Sequence, residues 1–132
     1  MGAREVFESM CRAWTGDPAD LDELWAADVV VEAPFAAPGR PKRFDGRDAF
    51  VAFAKAGREA MRVRIEECRD VVVHQTTDPD VIVVEYVLVG RSEITGKQGS
   101  TAFIGVLRAR DDKISHWREY QDTMGIAAAL AG

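Results

Sequence analysis

The second half of the chain places the tightest limit on its fold. Between Val63 and Asp122, four runs rich in Val and Ile, at 63–75, 81–93, 100–110 and 113–122, are separated only by Asp78-Pro79-Asp80, residues 96–99 and Asp111-Asp112. β-Branched residues suit a pleated surface, and breaks this short have room for hairpins only, so four consecutive antiparallel strands are predicted. Within the second run, Val81-Ile82-Val83-Val84 and Tyr86-Val87-Leu88-Val89 are apolar on both parities, which means that both faces of that strand are covered. Helices of the same chain can cover one face. A second copy is expected on the other, giving a homodimer through the sheet.

The first half supplies the helices. From Ala3 to Thr15 the residues Val6, Phe7, Met10, Cys11 and Trp14 recur at spacings of three and four, the stripe of an amphipathic helix. Asp17-Pro18 offers an N-cap followed by proline at the first helical position, and Leu21, Leu24 and Trp25 form the stripe of a short second helix. Val29, Val30 and Val31 lead into Pro34, so a strand is predicted over 28–33; residues 34–44, with three prolines and Gly39, read as a loop. Asp45-Gly46 opens a third helix carrying Phe50, Phe53, Ala54, Gly57 and Met61 at helical spacing. The alanine-rich tail 125–132 is read as a short helix or a frayed end.

Three helices followed by a curled, mainly antiparallel sheet is an α+β layout, and the mouth between the two layers is a natural pocket. With 132 residues the chain fits a single domain, 1–132, and no apolar run approaches the ~18 residues of a membrane span. A net charge of −5, from 22 acidic and 17 basic residues, offers no footprint for a phosphate backbone, so neither nucleic acid nor membrane is expected as a partner. Cys11 and Cys68 lie far apart, and no leader-like segment precedes Ala3; a reducing, cytoplasmic location is expected. His74 and His116 lack partners at metal-ligand spacing. No glycine-rich phosphate loop, dinucleotide fingerprint or Gly-x-Ser-x-Gly run occurs, so no metal or cofactor is expected.

The order of elements, the loop from Pro34 to Pro41 running into Asp45-Gly46-Arg47-Asp48-Ala49, and the last strand Lys113-Ile114-Ser115-His116-Trp117-Arg118-Glu119-Tyr120-Gln121-Asp122 resemble the SnoaL-like branch of the nuclear transport factor two superfamily. The resemblance covers almost the whole chain. It implies a cone-shaped α+β barrel whose curled sheet wraps a deep pocket, often dimeric through the sheet's outer face. The superfamily holds polyketide cyclases, a ketosteroid isomerase, epoxide hydrolases, phenazine-biosynthesis proteins and members without activity, so it implies a fold more than a reaction. Trp117-Arg118-Glu119-Tyr120 is similar to the Trp-Arg-Asp-Tyr run of limonene-type epoxide hydrolases, whose carboxylate acts as a base on water. Glu119 also resembles the pocket glutamate of the phenazine-biosynthesis pair, a general acid. Arg91-Ser92-Glu93 stands where the hydrolases carry Arg-x-Asp, whereas their water-holding Tyr and Asn fall near Val31 and Ala33, which offer neither group.

Period-two alternation puts Trp117, Glu119 and Gln121 on one face of the last strand and Arg118, Tyr120 and Asp122 on the other, and only one set can face the pocket. A carboxylate beside a Trp in a partly apolar cavity is raised by desolvation toward the range where it can accept and donate protons near neutrality. The plainer reading of Glu119 is a cross-strand ion pair with Arg108 or Arg91. Arg91 and Glu93 share a parity and are candidates to orient substrate, or form a solvated strand end; Asp122 is a further acid/base candidate, as in the polyketide cyclases. Glu85, on the Arg91 parity, is read as pointing inward with Val83 and Val87, or as pairing with Arg64 or Arg69. Arg40, Lys42, Arg43 and Arg47 either attract an anionic substrate or form a solvated loop. Trp14, Trp25, Phe35, Phe50, Phe53, Phe103 and Trp117 are core aromatics and candidate ligand contacts. Two functions therefore stand: a cofactor-independent acid/base enzyme on a small hydrophobic metabolite, of isomerase, cyclase, dehydratase or hydrolase type, and a non-catalytic binding or dimerisation module.

Overall fold

A computed structural model describes residues 2–131; Met1 and the final Gly132 of the alanine-rich tail lie outside it. Helix α1 spans Ala3–Thr15 as its spacing predicts, and its stripe of Val6, Phe7 and Met10 is sealed from solvent. Helix α2, Ala19–Asp22, is a single turn. Trp25 is not on it: strand β1 spans Trp25–Glu32, three residues ahead of the predicted start at Asp28. The Leu24 carbonyl accepts a 2.7 Å bond from the Ile114 amide, and Trp25 pairs with Ile114, so pairing with a distant strand outweighs the helical spacing of Leu21, Leu24 and Trp25. A second correction follows from the same strand. Residues 43–45, read as the loop's end and the helix's start, form strand β2, Arg43–Asp45, pairing Val31 with Phe44 once the three prolines are passed.

Helix α3, Arg47–Met61, packs its aromatic side on β1 and β2, with Phe50 edge-on to Trp25 at 5.0 Å and to Phe44 at 5.5 Å. Arg62 closes it in the left-handed region at φ 52°. The four predicted strands follow within two residues of their expected limits: β3 Val63–Gln75, β4 Val81–Ser92, β5 Gln98–Arg110 and β6 Lys113–Gln121. The tail folds as helix α4, Thr123–Leu130, capped by the Asp122 carboxylate accepting from the Gly125 amide at 2.9 Å.

The strands form one curled, unclosed sheet in the order β2-β1-β6-β5-β4-β3, antiparallel throughout except for β1 beside β6. Its concave face buries Ile82, Val84 and Tyr86 of β4, Leu107 of β5, and Ile114 and Trp117 of β6 beneath α1. Glu85 therefore points the other way. It sits on the convex face, bonded to His74 at 2.6 Å, and pairs neither inward with Val83 and Val87 nor with Arg64 or Arg69. The convex face also carries Ile104 and Val72, both more than two-fifths exposed in the single chain. Among the described residues, no helix is long and apolar enough to cross a membrane.

Candidate functional site

Curling of the sheet around α1 and α3 leaves a cavity of about 1080 Å³. Trp14 of α1, Trp25 of β1, Phe50 of α3, Leu88 of β4, Phe103 of β5 and Trp117 of β6 give it apolar walls, and Ile126, Ala129 and Leu130 of α4 complete them. Its other charged groups are the exposed Glu59, Arg62, Glu93 and Lys97 and the half-buried Asp22 and Arg58, whereas Arg64, in register with Arg91, turns its guanidinium to Glu66. Deeper in, the polar side chains of β6 are Glu119 and Gln121, so the Trp117 parity of the last strand is the one that faces the cavity.

Glu119 is held from two sides. The Tyr86 hydroxyl donates to its Oε2 at 2.5 Å, and Gln121 Nε2 donates to its Oε1 at 3.1 Å. Each carboxylate oxygen has two lone pairs, so both keep an acceptor position after these bonds. Among the described residues no cation stands beside it. Arg108 pairs with Asp78 at 3.0 Å and Arg91 with Glu66 at 3.1 Å, so the expected cross-strand ion pair of Glu119 with either arginine does not form. Burial among apolar walls therefore raises the Glu119 carboxyl above the ordinary range, and the hydrogen bonds from Tyr86 and Gln121, which favour the charged form, only partly oppose it.

Tyr86 went unnoticed in the sequence because its strand reads as a covered apolar run; a lone phenol on the parity of Ile82 and Val84 was the available signal. Its ring is 1% exposed and lies between Trp14 and Phe103, stacked on each with centroids 5.4 Å apart and tilts of 25° and 11°. Burial first, and then the Glu119 charge and hydrogen bond, push its own ionisation well above the usual phenol value, so it stays a donor. Gly105, the partner of Glu119 on β5, was a second missed signal. A Cβ there would lie within 2.9 Å of three atoms of the Trp117 indole, so a missing side chain makes room for the ring beside the carboxyl.

The other predicted site residues scatter. Arg91 follows the Glu85 parity onto the convex face, where it bonds Glu66 and the Gly96 carbonyl, while Gly90 and Ser92 take the inner face. Glu93 lies past the end of β4 in the exposed part of the cavity, and Asp122 is spent on capping α4. Of the aromatic candidates, Trp14, Trp25, Phe50, Phe103 and Trp117 line the cavity. Phe35 does not: it is 60% exposed and packs edge-on against Tyr120, on the opposite parity of β6. Nor does Phe53, which packs on Phe44 beneath the Arg40 guanidinium. Arg40, Lys42, Arg43 and Arg47 stay clear of the cavity, Arg43 and Arg47 pairing with Asp45 and Asp48.

Comparison with known proteins bears on this arrangement. The family model of the SnoaL-like domain matches residues 4–117. An uncharacterised PhzA/B-like protein of Pseudomonas aeruginosa is 31% identical over 133 residues, covering 100% of this chain and 92% of that protein. Among solved structures, a Bacillus subtilis protein provisionally described as an isomerase superposes with a TM-score of 0.86 at 24% identity, covering 98% of this chain and 93% of that one. A phenazine biosynthesis-related protein of Pseudomonas aeruginosa superposes with a TM-score of 0.73 at 20% identity, covering 98% and 86%. At these identities the structural likenesses establish the fold.

Proposed function

The chain belongs to the SnoaL-like domain family, and on that premise we propose that it is a cofactor-independent acid/base enzyme acting on a small hydrophobic molecule, with Glu119 moving the proton. One observation carries the reading: a carboxyl with no cation beside it among the described residues faces a largely apolar cavity, on hydrogen bonds from Tyr86 and Gln121. Such a group is poised to take a proton from one atom of a ligand and return it to another. Tyr86 lies behind the wall and acts through Glu119, as a positioning residue. The cavity walls would hold the apolar body of the substrate against the carboxyl, excluding water from it.

A single carboxyl suits steps in which one proton leaves and re-enters: double-bond isomerisation, aldol-type cyclisation or dehydration. Epoxide opening by water calls for a base and an acid together, and with Arg91 on the convex face and Glu93 in the exposed part of the cavity that pair is not assembled. The test is a panel of β,γ-unsaturated ketones, hydroxy-ketones and small epoxides, followed by mass spectrometry and ultraviolet absorbance. Glu119→Gln is expected to lower turnover by about 10²–10⁴, the usual worth of general acid–base catalysis, with the circular dichroism spectrum unchanged. An unchanged rate would sink the assignment.

Among the described residues no second charged side chain stands at the Glu119 carboxyl, which favours a further reading, a binding module that holds such a molecule unaltered. It predicts saturable binding of panel compounds with no product from any of them. For either function we propose a cytoplasmic homodimer joined through the convex face around Ile104, the half-exposed apolar centre of that surface.

A further inference from the structure

Cys11 and Cys68 are the two cysteines of the sequence, and the fold brings their Sγ atoms to 3.0 Å, one from α1 and the other from β3. Both thiols are free and half-buried, and neither lines the cavity, so the acid/base chemistry makes no use of them. A disulfide bond is about 2.05 Å long, so closing this pair needs an approach of about 1 Å, within reach of side-chain rotation. The position matters as well. Cys68 pairs in register with Leu88, two residues from Tyr86 on the same face of β4, and Cys11 lies on the helix that presses Phe7 and Trp14 onto the Tyr86 ring.

We propose that Cys11 and Cys68 are a peroxide-oxidisable dithiol that closes to an intramolecular disulfide and pins α1 to β3. In the first step the thiolate of one cysteine attacks one oxygen of hydrogen peroxide; the O–O bond breaks, giving a sulfenic acid on that cysteine and a hydroxide that becomes water with the proton its thiol had released. In the second the sulfur of the other cysteine attacks the sulfenic sulfur; the S–S bond forms, the S–O bond breaks, and the departing hydroxide leaves as water with the second thiol's proton. Two thiols lose two electrons, and one peroxide is reduced to two waters. The two sulfurs share a proton across 3.0 Å and either can be its donor, so the thiol that releases its proton attacks and the other resolves.

The experiment uses the unmodified full chain, treated with a small molar excess of hydrogen peroxide, alkylated with iodoacetamide and digested without reductant. The expected product is lighter than the starting protein by about 2 Da, the two thiol hydrogens, and resists alkylation. Its tryptic peptides 5–12 and 65–69 are joined. Dithiothreitol should restore both thiols. The oxidised chain should melt about 10 °C higher, as a cross-link closing a loop of this length in the unfolded chain implies. In Cys11→Ser a sulfenic-acid probe should label Cys68, and in Cys68→Ser it should label Cys11, since neither variant can resolve to the disulfide. Two alkylated thiols after peroxide, stepwise oxidation of either cysteine to sulfinic acid, or a disulfide between two chains would overturn the proposal. A correctly joined disulfide without the thermal gain would overturn the pinning of α1.

Discussion

The Tyr86 hydroxyl reaches Glu119 Oε2 at 2.5 Å from a strand that is not its neighbour, with β5 lying between β4 and β6. The aromatic stack of Trp14, Tyr86 and Phe103 fixes the ring, so the phenol is delivered to the carboxylate with its rotamer already set. This bond favours the charged form of Glu119 and works against the effect of burial. Tyr86→Phe keeps the stack and removes the donor, so the Glu119 carboxyl should titrate higher still than in the unmodified protein. Carbon-detected NMR titration of the glutamate side chains measures this directly; an unmoved Glu119 titration would mean that the bond is not made in solution.

Glu119 also leaves a mark on stability. Because its carboxyl is raised in the folded chain, the native state holds a proton that the unfolded state has released over the window between the ordinary and the raised value. Stability contributed by this group therefore falls as pH rises through that window. Asp28, Asp45, Glu66 and Asp78 have the opposite sign: their lowered carboxyls add stability that is lost as pH falls below the ordinary range. Urea unfolding of the unmodified protein and of Glu119→Gln across the acidic-to-neutral range separates the two. The difference between them should shrink or reverse toward neutral pH, where only the unmodified chain carries a buried charge.

Gly105→Ala tests the space beside the carboxyl. The new methyl would collide with the Trp117 indole, and with Trp117 packed against Phe7 and Tyr86 there is little room to yield. Overpacking of this kind costs about 1–3 kcal/mol, and a fall of several degrees in melting temperature is expected, with a changed tryptophan emission as the ring moves. A melting temperature equal to the parent's would show that the indole does not occupy that space.

The convex face gives the fourth prediction. Ile104 sits at its centre, between Glu85 of β4 and Tyr120 of β6 in register, and is 44% exposed in a single chain. The unmodified protein should sediment as a dimer, and Ile104→Lys as a monomer with the same circular dichroism spectrum. A monomeric parent would remove the proposed interface.

What the sequence discloses about this chain depends on how far its partners lie along it. Strands β3 to β6 are joined by short turns, so composition and turn residues locate them within two residues. The start of β1 is set by Ile114, some ninety residues away, and no local pattern at Leu24 and Trp25 reports that. Alternation separates Glu119 from Tyr120 reliably but does not say which of the two sets turns inward. On β6 both sets carry an aromatic, and it is the packing of Trp117 beneath α1 in the structure that turns Glu119 inward with it. On β4 both parities are apolar, so the inward set was settled only by Tyr86 packing under α1, which sends Glu85 and Arg91 to the opposite face.

The place of β6 in the sheet has a consequence for how the protein is made. This strand carries Trp117, Glu119 and Gln121 and is the last of the six in sequence, yet it lies inside the sheet, between β1 and β5. Until it leaves the ribosome, β1 and β2 have no sheet to join, and the hairpins of β3 to β5 present an unpaired inner edge. β1 and β2, with α3 packed on them, must therefore wait until β6 is synthesised, and closing so distant a contact is slow, whereas α1 packs on β3 to β5. The strand that equips the cavity is also the one that makes it, so a nascent chain cannot display a finished pocket without its carboxyl.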